Sequence, residues 1–233
     1  MIWEDRPWDS QFFSFRIAAG FQEPGDDADS LRKFCRETPA DCLYLFLHHP
    51  LSDGFQSVLQ DWGAICADWK TTFIKSELQR QTVDESSIST PDTISEECYQ
   101  LAVKSGCRSR FFVDEKFRPR QDALYREWVN TCVGRPDALV WEYRSGNEKL
   151  QGMMCASCHG TTGKLGLIST APECQGQGIG FRLMQILENF YLDHACTTAE
   201  VVTQFQNHKA CGLYRKCGYA ISEIREVWHL WKR

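Results

Sequence analysis

The sequence predicts a mixed α/β fold, in which a central sheet is flanked by helices. Three short apolar segments are separated by turns and therefore indicate an antiparallel meander. A glycine-rich stretch, ECQGQGIGFRLM, follows the third segment and leads into an amphipathic helix, as a strand-to-helix connection would. The meander segments are residues 138–143, 150–158 and 165–170, with turns at 145–147 and 160–163, and the glycine-rich stretch is 173–184.

The composition is that of a globular protein. The chain has 233 residues, of which 42% are apolar and 24% charged, enough for one large domain or two small ones. The opening MIWEDRPWDS is charged, and no run approaches the roughly 18 apolar residues of a membrane span. The net charge of -5 is unlike the basic excess of a general nucleic-acid binder. We therefore expect a cytoplasmic protein without a membrane or nucleic-acid partner.

Twelve cysteines are scattered singly along the chain, so we expect mostly reduced thiols rather than a disulfide framework. One motif is an exception, because Cys155-Ala-Ser-Cys158-His159 matches the C-x-x-C-H pattern of covalent haem attachment. That chemistry requires export, and a zinc site would require a second ligand pair that the sequence lacks. The alternative is two cysteines on opposite faces of one strand. We predict no haem and no metal.

A polar segment divides the chain. Residues 83–95, VDESSISTPDTIS, contain one proline and no apolar periodicity, which is typical of a linker. We therefore predict an N-terminal domain at residues 1–85 and a C-terminal domain at residues 95–233.

Apolar periodicity predicts the remaining elements in order. Before the linker, LYLFL at 43–47 predicts a buried strand, and 56–78 predicts a helix end, Gly63, and two strands around a turn near Asp68. After the linker, an apolar stripe at i, i+4, i+5 and i+8 makes 121–134 an amphipathic helix. The further predicted helices are 96–106, 181–194 and a short one from Asn207 to Gly218, and the further strands are 199–205, 219–224 and 227–231.

The glycine-rich stretch predicts an anion site. Such a turn exposes backbone N–H groups at the positive end of a helix dipole, and the missing side chains let a phosphate approach. Two common phosphate-binding patterns do not fit. A dinucleotide fold requires G-x-G-x-x-G, but the third glycine position is Leu183 counted from Gly178 and Phe181 counted from Gly176. A P-loop requires G-K-[ST], which the sequence lacks.

The stretch resembles instead the pyrophosphate motif Q/R-x-x-G-x-G/A of the GCN5-related N-acetyltransferase (GNAT) superfamily, as residues 175–180. Residues 207–214 match a second motif of the superfamily, N-x6-Y, and Gly218 follows. The order of meander, loop, helix, strand and short helix also agrees, so the resemblance covers about residues 95–233. It implies a GNAT fold and an enzyme that uses acetyl-CoA as co-substrate to acetylate an amine directly.

A more specific resemblance is to the bacterial TDP-fucosamine acetyltransferases, a family within this superfamily. It covers most of the chain, more loosely in the first half. It implies N-acetylation of a nucleotide-linked 4-amino-4,6-dideoxy sugar and a smaller N-terminal domain that is a partial copy of the GNAT fold. Residues 56–78 do echo residues 208–231. The segments that carry the resemblance are WDSQFF (8–13), SRFF (109–112), YREWVN (125–130), VTQFQN (202–207) and WHLW (228–231).

The superfamily resemblance assigns roles to individual residues. Tyr214 would protonate the departing thiolate, or it is an amphipathic core residue. Asn207 would hold the pantetheine arm, and it is equally suited to cap the following helix. Backbone groups of 167–170 would pair with the pantetheine as an added strand would. The predicted acetyl-CoA-binding residues are Leu167, Ile168, Ser169, Thr170, Gln175, Gly176, Gln177, Gly178, Ile179, Gly180, Phe181 and Asn207.

The general base and the acceptor site are less defined by the sequence. Glu173, His229 or a chain of waters are the candidate bases. Residues 108–120, called the basic loop below, contain four arginines around the segment 109–119, which borders the acceptor in this superfamily. They could provide bidentate contacts to a nucleotide diphosphate or form a solvated basic face. The predicted acceptor-binding residues are Arg108, Arg110 and Phe111, the loop also contains Arg118 and Arg120, and Phe111 and Phe112 either stack on the acceptor or belong to the core.

We therefore predict an N-acyltransferase that acts on a nucleotide amino sugar. The alternatives are a transferase of the same fold that acts on a protein, peptide or small-molecule amine, and a non-catalytic acyl-CoA-binding module. The presence of Tyr214 favours catalysis over the binding module. The sequence leaves open the acceptor, the acyl chain and the oligomeric state, a homodimer included.

Overall fold

The computed structural model describes residues 1–146 and 149–232 and arranges them around one ten-stranded sheet. The strands are β1 (Ile2–Asp5), β2 (Ile17–Phe21), β3 (Cys42–His48), β4 (Ile65–Lys75), β5 (Ile88–Ser89), β6 (Ala138–Arg144), β7 (Leu150–His159), β8 (Thr162–Thr170), β9 (Thr198–Gln204) and β10 (Ala220–Trp231). Their order across the sheet is β1-β2-β3-β10-β4-β9-β8-β7-β6-β5. The predicted mixed sheet is confirmed, and both halves of the chain contribute to it.

Helices flank this sheet, and four of the eight in the described residues begin at a residue whose side chain caps them. The side chains of Asp27, Ser52, Ser95 and Asn207 each accept a hydrogen bond from the first turn of the helix that follows. Short 3-10 turns occur at Arg118–Arg120 and Pro172–Cys174. The helices of the described residues are α1 (Pro7–Phe13), α2 (Ala28–Glu37), α3 (Asp53–Asp61), α4 (Glu96–Ser105), α5 (Arg110–Val113), α6 (Gln121–Asn130), α7 (Ile179–Asp193) and α8 (His208–Lys216).

The predicted meander is confirmed, because β6, β7 and β8 pair antiparallel in sequence order. The helix after the glycine-rich loop begins at Ile179, and Gly218 (φ +86°) follows α8 as a helix-ending glycine. The first predicted turn extends to Asn147, which lies outside the described residues. The polar segment 83–95 is not wholly irregular, since β5 lies within it and pairs with β6.

The topology of the sheet repeats within the chain. In each half a helix joins two parallel strands, and a second helix leads through a positive-φ glycine, Gly63 or Gly218, into a long strand. The first copy is β2-α2-β3-α3-β4, and the second is β8-α7-β9-α8-β10. The order β2-β3-β10-β4-β9-β8 is therefore palindromic, and each long strand is inserted between two strands of the other copy. The predicted partial copy in the first half is confirmed.

Two details of the predicted strands are wrong. Residues 65–75 form the single strand β4, not two strands around a turn at Asp68, and 220–231 form the single strand β10. Each strand contains a β-bulge against the other, at Ala67 in β4 and at Ser222 in β10. A bulge interrupts the alternation of apolar residues as a turn does, so the pattern alone did not separate the two cases.

An aromatic cluster connects the two halves. Phe13 of α1 and Tyr44 of β3 come from the first half, and Phe111 and Phe117 come from the second. Phe13 stacks on Phe111 with 5.4 Å between ring centroids and lies 4.5 Å from Phe117. All four side chains are buried, and full burial of a ring of this size contributes about 1.5–3 kcal/mol. The cluster therefore holds α5 and the loop after it against the first half.

Candidate active site

The glycine-rich loop between β8 and α7 has the backbone of an anion site. Gly176 (φ +81°) and Gly178 (φ +82°) adopt the left-handed conformation that side chains disfavour. The first main-chain bond of α7 runs from the Arg182 N–H to the Gly178 carbonyl, at 3.0 Å. Among the described residues, the N–H groups of 176–181 have no hydrogen-bond acceptor. These donors at the positive end of a helix can bind a diphosphate.

Residues of α8 lie directly beside this loop. A Cβ at Gly180 would lie 3.3 Å from Leu213 Cδ2, so a larger residue there would require the Leu213 side chain to shift by a few tenths of an ångström. Lys209 donates a hydrogen bond from Nζ to Gln175 Oε1, at 2.8 Å. Lys209 thereby places a positive charge beside the loop. The sequence did not predict this role, because Lys209 belongs to α8 and is a variable position of the N-x6-Y motif, not a part of the glycine-rich motif.

The strands β8 and β9 separate beside the loop and leave an open edge. They pair in parallel only as far as Leu165 of β8. Gly166 then forms a β-bulge against β7, which bends the strand. Beyond the bulge, residues 167–170 are half-buried and, within the described part of the chain, pair with β7 alone. Their outer backbone groups can therefore accept an extended arm as an added strand.

A cavity of about 480 Å³ opens where the two strands separate. Its volume is in the range of small-molecule sites, and its wall combines residues of both halves of the chain. The predicted site residues that line it are Arg110, Phe111, Leu167, Ile168, Asn207 and Tyr214. The predicted residues outside the wall are Arg108, Ser169, Thr170 and the loop residues 175–181.

Tyr214 is a buried phenol that lines the cavity. Its side chain is 4% exposed, and its ring contacts Phe73 with 5.6 Å between centroids. Among the described residues, no group forms a hydrogen bond with its hydroxyl. Burial raises the pKa of Tyr214 above its ordinary value, and the neighbouring Cys211 and Cys217 act in the same direction. The phenol therefore keeps its proton at neutral pH and can donate it into the cavity.

Asn207 caps α8, the helix that carries Tyr214. Its Oδ1 accepts a hydrogen bond from the Ala210 N–H at 3.3 Å, and its Nδ2 donates to Thr203 Oγ1 at 3.4 Å. The cap interpretation is confirmed. Asn207 also lines the cavity, so its contact with pantetheine stays a prediction.

Asp68 is a wall residue that the sequence did not predict as part of a site. It lies on β4 beside the bulge and is the cross-strand partner of Val227, which in turn pairs with Phe46. Its Oδ1 is buried and has no hydrogen-bond partner among the described residues. Burial raises the pKa of Asp68 to about 7, although Arg110 and Gln204 act in the opposite direction. Phe46, Val227 and Asp68 lie side by side on three strands that are far apart in the sequence, so the local sequence pattern could not predict their proximity.

The two side chains considered as bases lie elsewhere. Glu173 is exposed and forms a 2.6 Å ion pair with Lys149, beside the glycine-rich loop. His229 is fully buried, with Nδ1 at 2.8 Å from Asp114 Oδ2. Burial lowers the pKa of His229 to about 4, despite the opposing hydrogen bond that its ring donates to the Asp114 carboxylate. Neither Glu173 nor His229 lines the cavity.

Arg110 is the arginine of the basic loop that reaches the cavity. Its guanidinium lies over two rings, 4.0 Å from the Tyr44 centroid and 4.3 Å from the Phe111 centroid. Its Nη1 is also 3.4 Å from His229 Nε2. These contacts fix the guanidinium at the wall, where it can meet an anionic ligand.

The other three arginines of the loop lie outside the cavity. Arg108 is exposed. Arg118 donates from Nε to the Phe112 carbonyl at 2.7 Å and so closes its own loop. Arg120 lies over the Phe12 ring, 4.7 Å from its centroid. The structure therefore does not gather the four arginines into one phosphate site.

Two further cations at the cavity come from the first half of the chain. Arg6 and Lys70 line the wall together with Arg110. Each lies over an aromatic ring of the same wall, Arg6 at 5.5 Å from Phe21 and Lys70 at 5.8 Å from Phe46. This part of the cavity therefore suits a ligand that combines negative charge with a flat surface.

The C-x-x-C-H motif lies on β7, where Cys155 and Cys158 are buried free thiols three residues apart. All twelve cysteines of the chain are free. Within residues 1–146 and 149–232, no group of three or more His, Cys, Asp or Glu side chains could hold a metal ion. None of the described helices combines the length and the apolar character that crossing a bilayer requires.

Comparison with known proteins places the chain in a family. The sequence profile of the Acetyltransferase (GNAT) family matches residues 96–219, more than half of the chain. The protein therefore belongs to this family of acetyltransferases. No curated protein matches the chain.

Solved structures share the whole fold at low sequence identity. A conserved protein of unknown function from Staphylococcus epidermidis ATCC 12228 is 13% identical, with a TM-score of 0.61 over 94% of this chain and 85% of that chain. A tandem GNAT protein from the clavulanic acid biosynthesis pathway is 15% identical, with a TM-score of 0.55 over 91% and 74%. A Drosophila protein is 12% identical, with a TM-score of 0.58 over 94% and 73%. At these identities the similarity establishes the fold alone.

Proposed function

We propose that this protein is an acetyl-CoA-dependent N-acetyltransferase whose acceptor is a nucleotide-linked 4-amino-4,6-dideoxy sugar, with residues 1–85 and 95–233 as two domains that share one sheet. The observation that carries the proposal is a continuous path through the site. The free amides of the glycine-rich loop lead to the open edge of β8, and that edge leads to the cavity at Tyr214.

The cofactor end of this path fits coenzyme A. The N–H groups of 176–181 would hold the diphosphate, and Lys209 would add a positive charge beside it. Backbone groups of 167–170 would pair with the amides of pantetheine and aim it along the strand. The bound acetyl-CoA supplies the activated acetyl group. The Tyr214 phenol would donate a proton to the sulfur as it leaves.

The acceptor end of the path favours an anionic substrate. Arg6, Lys70 and Arg110 would contact the diphosphate of a nucleotide sugar, and guanidinium groups bind phosphate through paired N–H donors. The rings of Phe21 and Phe46 would provide a surface for a base or sugar. A lysine side chain of a protein acceptor carries no negative charge and so would not pair with these three cations.

A panel assay tests the proposal. The protein is mixed with acetyl-CoA and with TDP- and UDP-linked amino sugars, peptides and polyamines, and free thiol and N-acetyl product are measured. We expect thiol release with a nucleotide-linked 4-amino sugar and none with the matching 4-hydroxy sugar, which lacks the nucleophile. Reaction with a peptide or polyamine and with no nucleotide sugar would contradict the acceptor. Acetyl-CoA binding without transfer to any amine would indicate a binding module.

A further inference from the structure

We infer that Asp68, a residue of the first half of the chain, takes the proton from the acceptor amine during acetyl transfer. The inference rests on the proposed N-acetyltransferase function and adds the general base that this function requires. It is based on the position of the carboxylate, on its burial, and on its free oxygen.

The position of Asp68 follows from the insertion of β4 beside β9. β9 is the strand that separates from β8 where the thioester is expected, so β4 is the next strand on the acceptor side. The bulge at Ala67 sets the register that pairs Asp68 with Val227. As a result Asp68 lines the same cavity as Ile168 and Tyr214.

The surroundings of the carboxylate suit a base. Oδ1 is buried without a hydrogen-bond partner among the described residues, so its lone pairs are not engaged by another group of the protein. Burial outweighs the nearby positive charges and holds the pKa of Asp68 at about 7, close to the working pH of a general base. The groups that face or adjoin the carboxylate are Arg110 of α5, Tyr125 of α6, Gln204 of β9, Val227 of β10, and Cys66, Trp69 and Lys70 of β4 itself.

Asp9 of α1 is the second carboxylate among the described residues of the cavity wall. Its oxygens are not among the buried, unpartnered atoms, whereas Asp68 Oδ1 is. Because Asp9 is the other carboxylate of the wall, it is the competing candidate for the base, and the test includes it.

The proposed step balances in atoms and charge. The amine nitrogen forms a bond to the thioester carbonyl carbon, and the carbon–sulfur bond breaks. The amine proton moves to the Asp68 carboxylate, and the sulfur receives the Tyr214 proton. Both side chains then return to their starting protonation states by exchange with solvent.

The test uses Asp68→Asn, which keeps the size of the side chain but removes its proton affinity, and whichever amine the wild-type protein acetylates. We expect kcat to fall by about 10² to 10⁴-fold while the Kd for acetyl-CoA is unchanged. In acid, log(kcat/KM) of the wild type should rise with pH at a slope of about two, as the amine and Asp68 both lose protons, and that of the variant at a slope of about one. Asp68→Glu should recover part of the rate. Asp61→Asn, at the exposed end of α3, is the matched control and should behave as the wild type.

Each contrary result has a distinct meaning. If Asp68→Asn has the wild-type rate or still shows a slope of about two, Asp68 is not the base, and the proposed function is unaffected. The same conclusion follows if the slope falls to about one in Asp9→Asn and not in Asp68→Asn. If Asp68→Asn does not fold, the pH profile of the wild type is the test. A slope of about one in log(kcat/KM) would mean that only the amine loses a proton, which overturns the role of Asp68. If the wild type transfers acetyl to no amine, the proposed function fails, and the inference fails with it.

Discussion

Asp68 and Tyr214 line one cavity, although Asp68 belongs to β4 of the first copy and Tyr214 to α8 of the second. They share the cavity because β4 is inserted between β9 and β10, both strands of the second copy. The cavity therefore needs both halves of the chain, even though the family profile matches only residues 96–219.

This arrangement predicts that the C-terminal domain does not fold without the N-terminal one. A fragment of residues 95–233 lacks β4 and so exposes the edges of β9 and β10, which invites aggregation. We expect the fragment to be insoluble or without a cooperative thermal transition. Co-expression with residues 1–85 should restore a soluble complex. A monomeric, cooperatively folded fragment would contradict this prediction.

Replacing Tyr214 by phenylalanine should separate catalysis from binding. Without the phenol proton, we expect kcat to fall by about ten to ten-thousandfold, while the calorimetric Kd for acetyl-CoA stays unchanged. Tyr99→Phe is the matched control, since its hydroxyl bonds to Asn130 outside the cavity. Unchanged turnover in Tyr214→Phe would remove this residue from the mechanism.

The conformation of Gly178 makes a prediction about cofactor affinity. An alanine at φ +82° is strained by about 1–2 kcal/mol, and its Cβ would approach the bound phosphate. We expect Gly178→Ala to raise the Kd for acetyl-CoA by about tenfold or more. Gly25→Ala carries the same strain at φ +92°, also in open space but away from the loop. It should lower thermal stability alone. Equal Kd values for the two variants would argue against a phosphate at this turn.

Two substitutions at Asn207 distinguish its structural and binding roles. Asn207→Ala removes the cap of α8 and should lower the free energy of unfolding by about 1 kcal/mol. Asn207→Asp keeps an acceptor for the Ala210 N–H and should retain most of that stability. If Asn207 also donates to pantetheine, both variants raise the KM for acetyl-CoA. A normal KM in Asn207→Asp would leave capping as its only role.

The buried carboxylate of Asp68 predicts a pH-dependent gain in stability for Asp68→Asn. Folding raises the pKa of this group from 3.8 to about 7, so its protonated form is favoured in the native state. The stability that this preference contributes is lost as the pH rises from 4 through about 7. We therefore compare the free energy of unfolding of the variant with that of the wild type by urea unfolding. The difference in favour of the variant should be larger at pH 8 than at pH 4 by at least about 1.4 kcal/mol. A constant difference across this range would show that the carboxylate is not desolvated.

The parts of the site that the sequence predicted are local in the chain. Gly178 and the start of α7 are neighbours, and Asn207 and Tyr214 lie in one short helix, so their spacing is visible without a fold. The α2 helix was missed despite a local signal. Leu31, Phe34 and Cys35 form an i, i+3, i+4 stripe behind the capping residue Asp27.

The parts that the sequence did not predict depend on long-range pairing. Asp68 joins the cavity only because β4 pairs with β9 and β10 across more than 100 residues of chain. The arginines of the basic loop are close in sequence, but Arg118 turns back to its own loop and only Arg110 reaches the cavity. Neither the position of Asp68 nor that of the arginines could be predicted from residue spacing or composition.

The proposed mechanism depends on backbone amides of 176–181, which would hold the diphosphate of acetyl-CoA and aim its thioester at Tyr214. A crystal structure of the protein with acetyl-CoA tests it most directly. We expect diphosphate oxygens within hydrogen-bonding distance of these amides, pantetheine along residues 167–170, and the sulfur beside the Tyr214 hydroxyl. A cofactor bound elsewhere, with this turn empty or covered by side chains, would contradict it.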